Sequence, residues 1–189
     1  MREWVVHESG IGGIVRMVFV SGVHGVGKSY FCDILKKRLN ISSHTASSLI
    51  TERKKARFST DKHVADIDIN QLYLLEAVKE LKDRDEEFLL DGHFCLLDQT
   101  GKITRIPLET FIRLSPDAIV LLTESPAIIA KRRKERDGVE HPIVDIKAFQ
   151  DEELKYAQEV AELLHIPLKV SSGSSDIENT IEFIRDRRR

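Results

Sequence analysis

The densest chemistry in the chain lies in eight consecutive residues, Gly22-Val23-His24-Gly25-Val26-Gly27-Lys28-Ser29. Their spacing, G-x-x-x-x-G-K-S, is that of a phosphate-binding loop. Each part has a physical reason. Glycines let the backbone curl around an anion so that successive N–H groups point inward. A helix starting near Lys28 adds the positive end of its dipole. The Lys28 ammonium reaches the β- and γ-phosphates of a nucleoside triphosphate, and the Ser29 hydroxyl is a hard oxygen ligand for Mg²⁺. A glycine-rich turn without a ligand is the bland alternative, but this one sits between an apolar strand and an amphipathic helix, as a phosphate loop requires. The residues expected to hold ATP here are Gly22, His24, Gly25, Val26, Gly27, Lys28, Ser29 and Tyr30.

Two further groups belong to the same chemistry. Asp91 ends an apolar strand, where a carboxylate can organise Mg²⁺ beside the loop, or else simply cap the next turn. Gly92 permits close approach, and His93 either faces the same crevice or serves a structural purpose. Downstream, KRRKERDGVEH from Lys131 places Arg132 and Arg136 four apart on one helix face, with Arg133 pointing elsewhere. The segment is either a solvated basic face or a short lid, Asp137 to Pro142, that delivers arginines to developing charge. Lys28, Asp91, His93, Arg132 and Arg136 are thus the candidate catalytic residues, and Ser29 and Asp91 the candidate metal ligands.

The elements that must position these groups can be read from periodicity. Met17 to Val20 form a buried strand, followed by the glycine loop and a helix with Phe31, Ile34, Leu35 and Leu39 inward. A short strand near His44-Thr45, a polar helix from Ser47 to Lys55 and a longer helix from Asp68 come next. The DINQ at Asp68 reads as a capping box, and Leu72, Leu75, Val78 and Leu81 as its apolar stripe. Phe88 to Leu90 is a strand, and CLLDQTGKITRI a hairpin turning at Gln99 to Gly101. Ala118 to Glu124 is the strongest strand, with Ser125-Pro126 capping a helix. A long helix spans Asp145 to Leu164, Leu168 to Val170 is the last strand, and SSDIE opens the last helix. Alternating strands and helices predict one α/β domain with a mainly parallel sheet.

Composition sets the outer bounds. The chain of 189 residues, 41% hydrophobic and 32% charged, suits one soluble globular unit. A net charge of -2 gives no support to nucleic-acid binding, and the arginine-rich tail from Arg185 reads as a helix end. Two cysteines without metal spacing, Cys32 and Cys95, suit a reducing, cytoplasmic setting. No apolar run is long enough to cross a membrane. Residues 1–16, MREWVVHESGIGGIVR, read as an extension ahead of the domain of residues 17–189. The chain has no N-K-x-D for guanine, and AAA+ motors need a longer chain. A compact phosphotransferase is the class that remains.

At this point GVHGVGKS, the D-G-H that begins at Asp91, and I-x-x-K-R-R-K-E-R before a lid together resemble the archaeal-type adenylate kinase family, which includes ribosome-assembly relatives. The stretch LDGHFCLLDQTGKITRIPLETFIRLSPDAIVLL carries much of the likeness. The resemblance implies a three-layer P-loop fold with five parallel strands in the order 2-3-1-4-5. It implies ATP and Mg²⁺ as cofactors, an acceptor nucleotide between the helices of residues 46–85, and a lid over residues 132–145. Ser171, Ser172 and Gly173 would border the donor base. The implied activity is γ-phosphoryl transfer to a nucleoside monophosphate. A departure concerns the acceptor. TDKHVAD puts Thr60 and Val64 where the family has arginines, so the sequence predicts weak use of AMP unless Arg53, Arg57 or Lys62 substitutes. Kinases of a nucleoside or small metabolite, and a slow ATPase acting as a nucleotide-controlled assembly factor, are the competing functions.

Overall fold

The fold was obtained as a computed structural model, which describes residues 16–57, 67–98 and 100–188. β1 (Met17–Ser21) leads through the glycine loop into α1 (Lys28–Leu39), then β2 (Ser42–Thr45) and α2 (Ala46–Arg57). After these come α3 (Ile67–Asp83), β3 (Phe88–Asp91), the hairpin β4 (Cys95–Leu97) and β5 (Ile103–Arg105), and α4 (Leu108–Leu114). β6 (Ala118–Leu122), α5 (Pro126–Asp137), α6 (Ile143–Leu164), β7 (Leu168–Ser171) and α7 (Ile177–Asp186) complete the chain.

Five strands form one parallel sheet in the order β2-β3-β1-β6-β7, while β4 and β5 pair separately. Counted along that sheet alone, the order is the expected 2-3-1-4-5. β1 lies between β3 and β6, with Val20 opposite Asp91 and Ser21 opposite Leu121. Every residue of β1, β3 and β6 is buried, which explains why they read as continuous apolar runs rather than alternating ones. Because the strands are parallel, their C-terminal ends share one edge. The glycine loop, Asp91 and Glu124 therefore gather there.

An aromatic cluster supports that edge. Phe94 stacks on Phe111 with centroids 4.6 Å apart, and Phe19 and Tyr156 meet the pair edge-on. Gly92 has to be glycine for a steric reason, since a Cβ there would sit 2.7 Å from two carbons of the Phe19 ring.

Several sequence expectations need correction. The stripe of α3 is buried at Leu74, Leu75, Val78 and Leu81, while Leu72 is 46% exposed because it lies a third of a turn away. α3 already runs from Ile67, so Asp68 is inside its first turn and the capping position falls outside the described residues. Ser125 does occupy the N-cap of α5, but its side chain makes no capping bond. α6 begins at Ile143, two residues earlier than read, and a short 3-10 turn (Gly173–Asp176) precedes α7. α4 was not anticipated at all. Gln99 at the hairpin tip, Thr60, Lys62, Val64 and residues 1–15 lie outside the described residues.

Gly92→Ala should force the Phe19 ring out of its place in the cluster. The expected cost is roughly 1–3 kcal/mol, seen in thermal unfolding as a loss of about 2–4 °C per kcal/mol. An unchanged melting temperature would mean that the ring moves freely.

Candidate active site

The glycine loop runs from the end of β1 to the first turn of α1. Gly27 at the N-cap has φ 109°, a conformation that side chains resist, and it turns the backbone so that the first N–H groups of α1 face the cavity. Lys28 is buried to 7% exposure. Its ammonium donates to the Gly22 carbonyl at 2.6 Å and to His93 Nε2 at 2.9 Å, and lies 3.9 Å from Asp91 Oδ1. Burial pushes its pKa below the usual lysine value, while the carboxylates of Asp91 and Glu153 pull it back.

His93 must be neutral for Nε2 to accept a hydrogen bond from an ammonium, so its hydrogen sits on Nδ1. Burial, and then the positive Lys28, hold its pKa down at about 2. The ring of His24 lies against it with centroids 4.3 Å apart, and burial and Lys28 lower His24 to about 4. His24 has an exposed face, so water screens part of that shift. Burial raises the Asp91 carboxyl, and Lys28 opposes the rise.

A cavity of about 630 Å³ opens in front of these groups. Lys28, Ser29, Tyr30, Asp91, His93, Arg132 and Arg136 all line it, so the sequence-predicted groups converge on one space. Arg132 donates to the Val26 carbonyl at 2.9 Å and pairs with Glu124. Arg136 is bonded twice to Asp137 at 2.6 Å. Arg133 leaves the face shared by Arg132 and Arg136, as expected, and turns under the glycine loop: it is 8% exposed, its Nε donates to the His24 carbonyl at 2.8 Å, and its Nη2 is buried without a partner among the described residues. The expectation for the two serines fails. Ser171 is fully buried, where its hydroxyl accepts from Thr180, and Ser172 bonds Ser175. Neither serine lines the cavity.

Glu153 was missed. It is 1% exposed on α6 and accepts from the Ser21 hydroxyl, from Phe94 N at 2.9 Å and from Cys95 N at 2.7 Å. One carboxylate thus ties the end of β1 to the turn that carries His93. A signal existed, because Glu153 shares the α6 stripe with Ile146, Phe149, Ala157 and Val160.

Ser29 and Asp91 offer two oxygen donors to the same space, and no group of three His, Cys, Asp or Glu gathers among the described residues. That donor set fits Mg²⁺, which is held by one or two side chains together with phosphate and water.

Known proteins share the fold that carries this site. A family model described as "AAA domain" matches residues 21–150, from the glycine loop into α6. The chain belongs to the AAA domain family AAA_17. No curated protein matches it in sequence. A putative kinase from Chloroflexus aurantiacus J-10-fl is 12% identical with a TM-score of 0.54, covering 93% of this chain and 99% of that one. A sugar kinase from Janibacter sp. HTCC2649 is 15% identical with a TM-score of 0.52, covering 90% and 95%. A deoxyadenosine kinase from M. mycoides is 19% identical with a TM-score of 0.50, covering 90% and 97%. At such identities the likeness is one of fold, and this AAA domain has a P-loop kinase fold. The narrower likeness to archaeal-type adenylate kinases is not carried by these matches. No described helix is long and apolar enough to cross a membrane.

The His93 shift has a direct consequence. Its folded pKa lies below the ordinary 6.5, so its share of stability is full above pH 6.5 and is lost as pH falls toward about 2. In NMR titration the His93 ring should stay neutral from pH 8 to pH 5. A midpoint near 6.5 would show that Lys28 does not donate to it.

Proposed function

We propose that the protein is an ATP-dependent kinase that phosphorylates a hydroxyl of a small, uncharged acceptor. The observation that carries this reading is how charge is divided over the cavity. Its cations, Lys28, Arg132 and Arg136, belong to the glycine loop, α1 and α5. Among the described residues the opposite wall, from the end of β2 and from α2, α3 and α4, offers Thr45, Ser47, Gln71 and Thr110 among apolar Ile50, Leu74 and Leu114. An acceptor phosphate calls for fixed cations, preferably guanidinium. Arg53 on α2 is paired with Glu80 on α3 and does not line the cavity.

In the proposed reaction the glycine loop and Lys28 hold the ATP phosphates in place. The acceptor oxygen forms a bond to the γ-phosphorus, and the bond from that phosphorus to the β,γ-bridging oxygen breaks. ADP leaves with the electron pair, and the hydroxyl proton passes to the Asp91 carboxylate, which lines the cavity beside Lys28. Arg132 and Arg136 neutralise charge on the transferring group. Ser29 and Asp91 would hold Mg²⁺, which would supply further charge neutralisation when bound. His93, kept neutral, fixes the Lys28 ammonium without adding charge. The loop from Gly138 to Pro142 closes over the donor as a lid, and residues 17–189 act as a single catalytic unit.

A nucleoside monophosphate acceptor is the second reading, supported by the sequence resemblance. It would draw its cations from Arg57 and Lys62, whose side chains lie outside the described residues. A slow ATPase is distinguished from both by needing no acceptor.

The test is ADP release measured with ATP alone, with nucleoside monophosphates and with uncharged nucleosides and sugars. Turnover should depend on an uncharged acceptor, and Asp91→Asn should lower kcat by roughly 10²–10⁴-fold with little change in ATP binding. Turnover that needs a monophosphate, or no acceptor at all, would overturn the reading.

A further inference from the structure

Gln71 lies on the buried stripe of α3, one turn before Leu74 and Leu75, and is only 8% exposed. It lines the cavity, and its Oε1 is buried without a hydrogen-bond partner among the described residues. An amide oxygen cut off from water in this way is costly to the fold, and native structures rarely keep one without a reason. On its own wall Ile50, Leu74, Phe111 and Leu114 are apolar, and none of the hydroxyls of Thr45, Ser47 and Thr110 that share the wall bonds to that oxygen. Leu74, Phe111 and Leu114 are themselves nearly fully buried and belong to the hydrophobic core, so this part of the wall is continuous with it. The cavity volume of about 630 Å³ falls within the range of small-molecule sites.

A carboxamide carries an acceptor oxygen and a donor NH₂ side by side. It can exchange two hydrogen bonds with a planar edge that presents a donor next to an acceptor, as a nucleobase does. The flat, weakly polar faces of such a ring suit apolar walls on either side. A sugar or polyol carries a hydroxyl on nearly every carbon, and it would leave many of those hydroxyls unpaired against Ile50, Leu74 and Leu114.

Building on the reading that the acceptor is uncharged, we infer that the acceptor is a nucleoside, whose base edge donates a hydrogen bond to Gln71 Oε1 while its sugar hydroxyl faces Asp91 and the glycine loop. Gln71 is then the residue that reads the acceptor, and the unpaired oxygen is what the bound base satisfies. Selectivity among bases follows from which edge offers a donor beside an acceptor.

The experiment pairs calorimetric titration and steady-state kinetics on the full chain, using adenosine, cytidine, guanosine and thymidine with wild type, Gln71→Leu and Gln71→Glu. At least one nucleoside should bind wild type, and Gln71→Leu should raise its Kd and KM roughly tenfold or more. Binding of a non-hydrolysable ATP analogue should persist, which shows that the variant is folded. Without acceptor, Gln71→Leu should melt no lower than wild type, because it replaces an unsatisfied polar group with an apolar one. Gln71→Glu should change the order of preference among the bases, since it exchanges a donor for an acceptor. Equal nucleoside binding by wild type and Gln71→Leu would mean that Gln71 serves only an internal water, and would overturn the inference. Phosphorylation of a hexose, untouched by Gln71→Leu and without nucleoside transfer, would overturn it while leaving the uncharged-acceptor reading intact. No transfer to any uncharged compound would bring down both.

Discussion

A charged ammonium buried at the end of a parallel sheet is the constraint around which this molecule is arranged. Lys28 cannot leave water unless its hydrogens find acceptors, and the fold supplies the Gly22 carbonyl and a neutral His93 nitrogen, with Asp91 close by. Each partner makes its own demand. The carbonyl requires the tight glycine loop. The imidazole requires a turn after β3 that reaches back over the loop, and Gly92 allows that turn to pass against Phe19. Asp91 requires β3 to lie beside β1, which the register of the sheet provides. Glu153 fastens the result by joining Ser21 to the backbone of Phe94 and Cys95.

The same arrangement divides the cavity into two chemical halves. One end is built from the cations Lys28, Arg132 and Arg136 around the start of α1, which suits a polyanionic donor, with the Asp91 carboxylate beside them. Among the described residues the far wall is neutral and mostly apolar. Arg133 extends the charged half beneath the loop by holding the His24 carbonyl, and a Cβ on Gly25 would lie 3.0 Å from the Arg133 Cγ, so loop and helix are closely fitted. Low polarity on the acceptor side strengthens every electrostatic interaction at the transfer point once water is displaced. The proposed choice of an uncharged acceptor follows from this division rather than from any one residue.

Much of the fold could be read locally. The glycine spacing, the apolar runs of β1, β3 and β6 and the period of α1 are short-range patterns, and each element appears where its pattern lies. What stayed hidden has a common cause. Glu153, Arg133 and Gln71 are polar side chains on the buried stripe of a helix, and their partners lie far along the chain or are not found among the described residues. Glu153 meets Ser21 across 132 residues, and Arg133 meets His24 across 109. A polar residue at the core period of a helix, such as Glu153 between Phe149 and Ala157, is the signal that would have marked all three. Ser171 failed in the opposite direction, because its neighbours in sequence are loop-like while its hydroxyl is sealed against Thr180. α4 spans seven residues, Leu108–Leu114, too few for a helical period to stand out from noise.

The central claim is that phosphate is transferred to carbon-bound hydroxyl rather than to another phosphate. Phosphorus-31 NMR of the reaction mixture, with ATP, Mg²⁺ and an equimolar pool of nucleosides and nucleoside monophosphates, distinguishes the two bonds directly. The account predicts a growing phosphomonoester resonance that matches the loss of ATP, with the monophosphate pool unspent. Growth of a second phosphoanhydride series from nucleoside diphosphates other than ADP, without new monoester, would contradict it.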